Sequence, residues 1–268
     1  MNKFMISLPS SPKIVKKEGY KSIFEIDALY PGYGVTIGNS LRRVLLSSLS
    51  GSAITEVKIK GVPHEFSTIS GVLEDAVTIM LNLKQMRFRL LTEDPQTATL
   101  KIKGEKKIKA SDFKFPGQIE LINKDLHIAT ITDKSKELEM EIKIERGTGY
   151  SPAEGRIREK LEIGVLPLDA FFTPVKRVNF TVKNMMVGKR TDFDKLTLEI
   201  ETDGTIESED AFYQASKILV DHFDIFTKEF ALKEIEGKEI EKEEKSEKKK
   251  GVAGKGKKKE IAKKKTKK

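Results

Sequence analysis

The hydrophobic positions between residues 36 and 50 predict an amphipathic helix whose two faces differ in character. At about 100° per residue, one face collects aliphatic side chains, as a core-facing stripe should. Its members are Ile37, Leu41, Val44 and Leu45. The opposite face carries Asn39, Arg42, Arg43 and Leu46. Arginine beside an aliphatic side chain is typical of the buried part of a protein interface. The alternative is a surface helix with one exposed leucine, which is ordinary in proteins.

Alternation of apolar and polar residues predicts a series of short strands along the rest of the chain. The predicted strands cover 20–27, 55–59, 98–102, 119–122, 128–132, 140–144, 178–182 and 196–200. We expect Gly51 to end the first helix. The segment 147–174 is rich in glycine and proline and predicts a long ordered loop. Strands and helices mixed in this way predict an α+β fold.

A second, shorter helix is predicted over residues 72–83, where apolar positions recur at helical spacing. Its cap is expected at Ser70 and Gly71. Glu74 and Asp75 then fall in the first turn, where acidic side chains interact favourably with the helix dipole.

The longest helical pattern runs from Ser208, a plausible N-cap, to Leu232. Its apolar positions are Ala211, Phe212, Ala215, Ile218, Leu219, Phe223, Phe226 and Phe230. Val220 and Ile225 widen this stripe beyond what one sheet face normally covers. A helix this apolar at the edge of a domain favours a second surface to bury, such as a second copy of the chain. The alternative is an ordinary buried carboxy-terminal helix.

The basic charge of the chain is confined to its end. The segment 237–268 holds 15 lysines and six glutamates, a net charge of +9 that equals the net charge of the whole chain. Residues 1–236 are therefore neutral overall, and a basic pI is no sign that the folded part binds nucleic acid. The segment has no aromatic residue, so we expect 236–268 to be a disordered Lys/Glu-rich tail.

Composition and spacing offer no catalytic constellation. There is no cysteine, which excludes disulfides and thiolate metal sites. His64, His127 and His222 are scattered and lack metal-type partners at helical spacing. Asp192 and Asp194 come nearest to a magnesium pattern, but a lone pair of aspartates is weak support for one. We expect no catalytic, cofactor-binding or metal site, no signal peptide and no membrane span in this chain.

Several segments resemble a known family in their order and spacing. They are GNSLRRVLLSS, ITEVKIKGVPHEFSTISGVLEDAVTIMLNLK, ERGTGYSPA, LPLDAFFTPVKRVNFTV and KRTDFDKLTLEIETDGTI. Together they cover about 19–230 and resemble the amino-terminal domain of the α subunit of bacterial-type (bacterial or plastid) DNA-directed RNA polymerase. The resemblance implies a two-part dimerisation domain, formed by 1–50 and 175–235, with an inserted α+β domain over 51–174.

The same resemblance implies a role in transcription and a set of contact residues. Members of the family form a homodimer that docks the β and β′ subunits, so this chain would be non-catalytic by itself within a nucleotidyltransferase complex. The implied dimer interface is Ile37, Leu41, Val44, Leu45, Ile218, Leu219, Phe223 and Phe226. The implied β-docking residues are Arg43 and Leu46, joined on the same helix face by Arg42 and Asn39. Contacts to β′ would lie around Lys176, Arg177, Arg190, Thr191 and Asp192.

The chain departs from the family pattern after the last predicted helix. Family members usually continue into a second folded domain that binds DNA, and we expect that domain to be absent here. The lysine-rich tail would then attract DNA nonspecifically through phosphates or serve only as a solubilising segment. Two other functions stay open: a free-standing nucleic-acid-binding protein acting through the tail, and an enzyme with a composite site at a dimer interface. The expected location is the cytoplasm, beside the nucleoid, or the plastid stroma.

Overall fold

The computed structural model of this chain describes residues 6–156 and 164–228. Its strands are β1 (Lys13–Glu18), β2 (Lys21–Leu29), β3 (Ser50–Ile59), β4 (Phe88–Leu90), β5 (Gln96–Lys103), β6 (Lys106–Lys109), β7 (Ile119–Leu121), β8 (His127–Ile131), β9 (Glu137–Thr148), β10 (Tyr150–Ser151), β11 (Val165–Pro167), β12 (Ala170–Phe171), β13 (Val175–Val187) and β14 (Arg190–Thr202). The helices are α1 (Tyr33–Ser47), α2 (Ala76–Leu83), the short α3 (Ala153–Arg156) and α4, which is helical over 208–228. A 3₁₀ turn covers Ala110–Asp112.

The first sheet joins segments from opposite ends of the sequence. Its strands lie in the order β1-β2-β14-β13, each antiparallel to its neighbour. Helix α1 packs on β13 and β14. The pairing of β2 with β14 links the amino-terminal strands to residues 190–202. The two-part dimerisation domain and its boundaries stay a prediction.

The second sheet, in the order β11-β3-β9-β5, carries the larger hydrophobic core. Helix α2 and the two-stranded sheets β4-β7 and β6-β8 contribute to the same core, in which Ile79, Leu83, Ile128 and Ile142 are fully buried. Helices packed with antiparallel sheets make this an α+β fold, as the sequence predicts.

The chain divides into two compact units, Met1–Lys217 and Ile218–Lys268. The described part of the second unit, 218–228, is helical. Among the described residues, no helix is long and apolar enough to cross a membrane. The predicted tail at 236–268, together with Phe230 and Leu232 of the predicted last helix, lies outside the described residues.

Helix α1 begins at Tyr33, three residues before the predicted start, because a distant carboxylate caps it. Asp194 on β14 accepts hydrogen bonds from the backbone N–H groups of Gly32 (2.9 Å) and Gly34 (3.0 Å). The helix ends at Ser47, and the prediction that Gly51 ends it is wrong: Gly51 lies within β3. The capping carboxylate is 160 residues away in sequence, so no local pattern indicates it.

The predicted cap of the second helix is also wrong. Helix α2 begins at Ala76, and its N-cap is Asp75, whose side chain accepts from the backbone N–H of Thr78 (2.8 Å). Val72 lies outside the helix in a bridge to Ile131. A carboxylate that caps a helix satisfies a backbone donor that would otherwise lack a partner.

Glu74, predicted in the first turn of that helix, instead fixes β8. Its carboxylate accepts from the backbone N–H of Thr130 (2.6 Å), from the Thr130 hydroxyl (3.1 Å) and hydrogen-bonds His127 Nε2 (2.8 Å). Burial raises the pKa of the Glu74 carboxyl, but the hydrogen bonds from His127 and Thr130 outweigh it and leave the pKa below its usual value. The charged carboxylate is therefore the form that stabilises the fold.

We expect Glu74→Gln to lower the free energy of unfolding by about 2 kcal/mol at pH 7, because hydrogen bonds to a charged group are lost. A lowered pKa contributes stability above the unfolded value of about 4.3, and this contribution disappears as the pH falls through the folded pKa. The difference between wild type and variant should therefore shrink below about pH 4. Urea unfolding from pH 7 to pH 3 measures it.

The control for this prediction is Glu120→Gln, because Glu120 forms an exposed ion pair with Arg89. Exposed pairs contribute roughly 0–1 kcal/mol, so this variant should unfold close to the wild type. A stability gap for Glu74→Gln that stays constant from pH 7 to pH 3 would show that the carboxylate charge does not stabilise the fold.

The segment 147–174, predicted as a long loop, contains regular structure. It includes the end of β9, strands β10, β11 and β12, and helix α3. Residues 157–163 lie outside the described part. Strands of two or three residues are too short to show alternation, which is why the sequence pattern does not indicate them.

Candidate subunit-docking surfaces

The core face of α1 lies unusually close to the sheet beneath it. The buried residues of the helix are Gly34, Gly38, Leu41 and Leu45. A Cβ atom at Gly38 would stand 2.6 Å from the Phe180 ring, so only glycine permits this approach. Leu41 and Leu45 are covered by the chain itself and leave little surface for a second copy. The buried stripe is therefore rotated relative to the predicted one, and Ile37 and Val44 lie half-buried at its edge.

The opposite face of α1 is open. Asn39, Arg42 and Arg43 are exposed, and Leu46 is half-buried. Within residues 6–156 and 164–228, neither guanidinium of this face forms an ion pair. We call these four residues the arginine face; they are the ones predicted to dock the β subunit.

Hydrogen bonds from side chains hold the last turn of α1 beneath this face. The Thr173 hydroxyl donates to the carbonyl of Leu46 (3.1 Å), and the Ser47 hydroxyl donates to the carbonyl of Arg43 (2.8 Å). The Leu46 carbonyl lies where a helix runs out of backbone donors, so the Thr173 hydroxyl supplies a partner that the helix lacks. This hydrogen bond ties the last turn of α1, which carries part of the arginine face, to the segment after β12.

The five residues predicted to contact β′ do not form one patch. Lys176 and Arg177 lie at the start of β13, where Arg177 stands opposite Glu201. The other three lie at the start of β14, where Arg190 stands opposite Val187. At about 3.3 Å per strand residue the two groups are roughly 30–35 Å apart. The two groups thus lie at opposite ends of the β13–β14 hairpin.

Arg190 already has partners within the chain. Its guanidinium forms two hydrogen bonds to the carboxylate of Asp192 (3.0 and 2.7 Å). It also lies over the rings of Tyr30 and Phe193, 5.5 and 5.0 Å from their centroids. The hydrogen bonds from Arg190 hold the pKa of the Asp192 carboxyl below its usual value. A ligand of this site would compete with these contacts.

The described residues of the second unit expose a row of large apolar side chains. Phe223 and Phe226 are 61% and 60% exposed, and their rings meet edge to face at 6.5 Å. Val220 and Ile225 are exposed as well. Large apolar side chains grouped on a surface mark interaction sites more often than chance exposure. Of the predicted dimer residues here, Ile218 and Leu219 are half-buried.

The titratable residues singled out in the sequence serve the fold. Among the described residues, no group of three or more His, Cys, Asp or Glu is arranged to hold a metal ion. Asp194 caps α1, and His64 hydrogen-bonds Ser67 (3.2 Å). His222 contacts the carbonyl of Ile218 within its own helix (2.7 Å).

One exposed pair of aromatic rings is not indicated by the sequence pattern. Tyr150 on β10 and Phe171 on β12 stand opposite each other, with ring centroids 4.7 Å apart. Both rings are 55% exposed. The two strands are two residues long, so no periodicity marks them; the lone tyrosine of GTGY and the two phenylalanines of DAFF are the signal that the sequence offers.

Comparison with known proteins bears on the whole of this region. Residues 57–173 match the family described as the RNA polymerase Rpb3/RpoA insert domain. The chain is 46% identical over 203 residues to the DNA-directed RNA polymerase subunit alpha of Oceanobacillus iheyensis. Over the same length, identity is 47% to the protein of that name in Symbiobacterium thermophilum and 50% to the one in Clostridium perfringens.

These matched segments cover 76% of this chain and 64% of each relative, so the chain spans slightly less than two thirds of the length of the relatives. Residues 57–173 are therefore similar to the RNA polymerase Rpb3/RpoA insert domain family, and the resemblance of this chain to the amino-terminal region of bacterial RNA polymerase α subunits is confirmed.

Proposed function

We propose that this chain is an assembly subunit of DNA-directed RNA polymerase that forms a homodimer and docks the β and β′ subunits. The observation that carries the proposal is the double use of α1. One face of the helix is closed over the chain's own sheet, while the arginine face is open in a chain similar to α subunits. As a transcription protein it would act in the bacterial cytoplasm.

The arginine face fits a protein partner better than water. Two exposed guanidinium groups, which form no ion pair with any residue that the structure describes, stand beside a half-buried leucine. Arginine binds carboxylates in a bidentate geometry and is enriched in the energetically important part of interfaces. We assign Arg43 and Leu46 as the centre of β docking, with Arg42 and Asn39 at its margin.

The exposed row on helix 218–228 fits a second copy of the chain. Phe223 and Phe226 present apolar surface that a symmetric interface would bury. Dimerisation would place two arginine faces in one particle, so that one copy meets β and the other meets β′. For β′ we assign the two groups at the ends of the β13–β14 hairpin.

Nucleotidyltransferase activity would then belong to the assembled complex, with no active site in this chain. The test is purification of the tagged chain from its native cell at moderate salt, with co-purifying proteins identified by mass. We expect two very large polypeptides and nucleotide incorporation in the eluate. Recovery of the chain without them would contradict the assembly role and favour the rival reading, a free-standing nucleic-acid-binding protein.

We expect Arg43→Ala to weaken binding of the β subunit by at least about 1 kcal/mol, the usual threshold for an important interface residue. The arginine is exposed and forms no ion pair within the described part of the chain, so its removal should leave fold and dimer unchanged. Titration of the β subunit against immobilised dimer measures the affinity. Lys107→Ala removes an exposed cation from β6 and should bind as the wild type does. Equal affinity of Arg43→Ala and wild type would remove Arg43 from the docking site.

A further inference from the structure

The segments that carry the exposed ring pair contact the last turn of α1, the helix that carries the arginine face. The backbone N–H of Phe172 donates to the carbonyl of Gly149 (2.9 Å), joining the two segments that carry the rings. A Cβ atom at Gly149 would lie 3.1 Å from the carbonyl oxygen of Ser47, so this loop rests on the last turn of α1. The hydroxyl of Thr173, two residues after Phe171, holds the carbonyl of Leu46. The loop at Gly149 and the segment after Phe171 thus both contact the last turn of α1.

The rings have no structural task that explains their exposure. Each forms its closest aromatic contact with the other, and the core cluster nearby is built from Ala53, Ala170 and Phe172 instead. Phe172 is buried, whereas its neighbour Phe171 points to solvent. Burial of large aromatic side chains dominates interface energetics, and Tyr is among the residues most enriched at binding hot spots. An exposed Tyr–Phe pair near the end of a helix whose two arginines form no ion pair with the described residues is therefore suited to a protein contact.

We propose that Tyr150 and Phe171 are the apolar anchor of the β-docking surface, and that the arginine face is its charged part. This inference rests on the proposed function. Its occupant is a segment of the β subunit that presents an aliphatic or methionine side chain to the rings and carboxylates to Arg42 and Arg43. The charge assignment follows from complementarity, because both guanidinium groups lack a carboxylate partner among the described residues.

A single nucleic-acid strand is the other occupant that stacks on aromatic rings beside cations. It fits less well, because such sites follow the backbone with a positively charged groove, whereas residues 1–236 are neutral overall. Two arginines on one helix face do not make such a groove. Nucleic-acid binding is accordingly an outcome of the test.

The test measures the affinity of the full-length dimer for purified β subunit. Tyr150→Thr and Phe171→Thr remove the rings, while threonine keeps the preference for a strand. Each is expected to weaken β binding at least tenfold. The separate variant Tyr150→Phe, which keeps a ring, should bind β with the wild-type affinity. Phe66→Ala is the matched control, because Phe66 is also exposed but lies elsewhere, in the loop before α2. Thermal unfolding verifies that every variant is folded.

Four results decide between the alternatives. Tenfold weaker binding by both ring variants, with Phe66→Ala unchanged, supports the anchor. Unchanged β binding by the folded ring variants, together with weaker binding by Arg43→Ala, overturns the anchor and leaves the proposed function intact. If the wild-type dimer does not bind β at all, the proposed function fails and the anchor fails with it. Loss of single-stranded oligonucleotide binding in the ring variants, with β binding unchanged, also overturns the proposal.

Discussion

Gly51→Ala is expected to lower the free energy of unfolding by more than about 3 kcal/mol. A Cβ atom at Gly51 would stand 1.8 Å from the backbone carbonyl oxygen of Phe172. That oxygen belongs to the main chain and has no rotamer through which to move away. Overpacking in a core typically costs about 1–3 kcal/mol even when side chains are able to shift, so a clash with backbone should exceed this range.

The surroundings of Gly51 leave little room for relief. Gly51 pairs with Gly147 across β3 and β9, and a Cβ atom at Gly147 would meet the Phe172 ring at 2.7 Å. Phe172 therefore lies over two paired glycines, with its backbone N–H bonded to Gly149. Moving Phe172 away would strain the β10–β12 pair and the last turn of α1 together.

Equilibrium urea unfolding measures the effect, with Gly117→Ala as the matched control. A Cβ atom at Gly117 meets nothing within 4 Å, and Gly117 does not have a left-handed backbone. The control should therefore unfold within about 0.5 kcal/mol of the wild type. Similar unfolding midpoints for Gly51→Ala and Gly117→Ala would show that the Phe172 segment moves freely from β3.

The faces of α1 illustrate how far periodicity reaches. The pattern correctly places Leu41 and Leu45 in the core and the arginines outside, because a helix with one buried side imposes its period on aliphatic residues. It misses Gly34 and Gly38, which complete the buried stripe. Glycine carries no hydrophobic signal, and its place there depends on the Phe180 ring beneath it.

Long-range contacts explain the other differences. The start of α1 depends on Asp194, which caps the helix. The sequence around Asp194 indicates only a weak acidic pattern. Glu74 resembles a first-turn helix residue, but Thr130 and His127 draw its carboxylate to β8. In both cases tertiary hydrogen bonds override a local preference. The family resemblance implies only that the two chain ends form one domain, and no pattern in the strands themselves indicates that β2 pairs with β14.

Phe223→Ala combined with Phe226→Ala is expected to weaken dimerisation at least about 100-fold, a loss of about 2.8 kcal/mol. Both rings are more than half exposed in the single chain, so under the proposal their surface becomes buried only when the dimer forms. Fully burying one phenylalanine contributes about 1.5–3 kcal/mol, and in a symmetric dimer each substitution removes one ring from each of the two copies. Alanine has the highest helix propensity, so the helix itself should persist. Sedimentation equilibrium measures the dissociation constant.

Asp221→Ala is the control on the same helix. Asp221 is exposed and lies roughly 200° from Phe223 around the helix axis, so this change to alanine leaves the row of rings intact. Its dimer should match that of the wild type. Equal dissociation constants for the double variant and Asp221→Ala would place the interface elsewhere. Under the proposed function the monomeric double variant should still bind β through the arginine face and should fail to retain β′, because the two large subunits contact different copies. Loss of both subunits would instead indicate that the helix contributes to β docking directly.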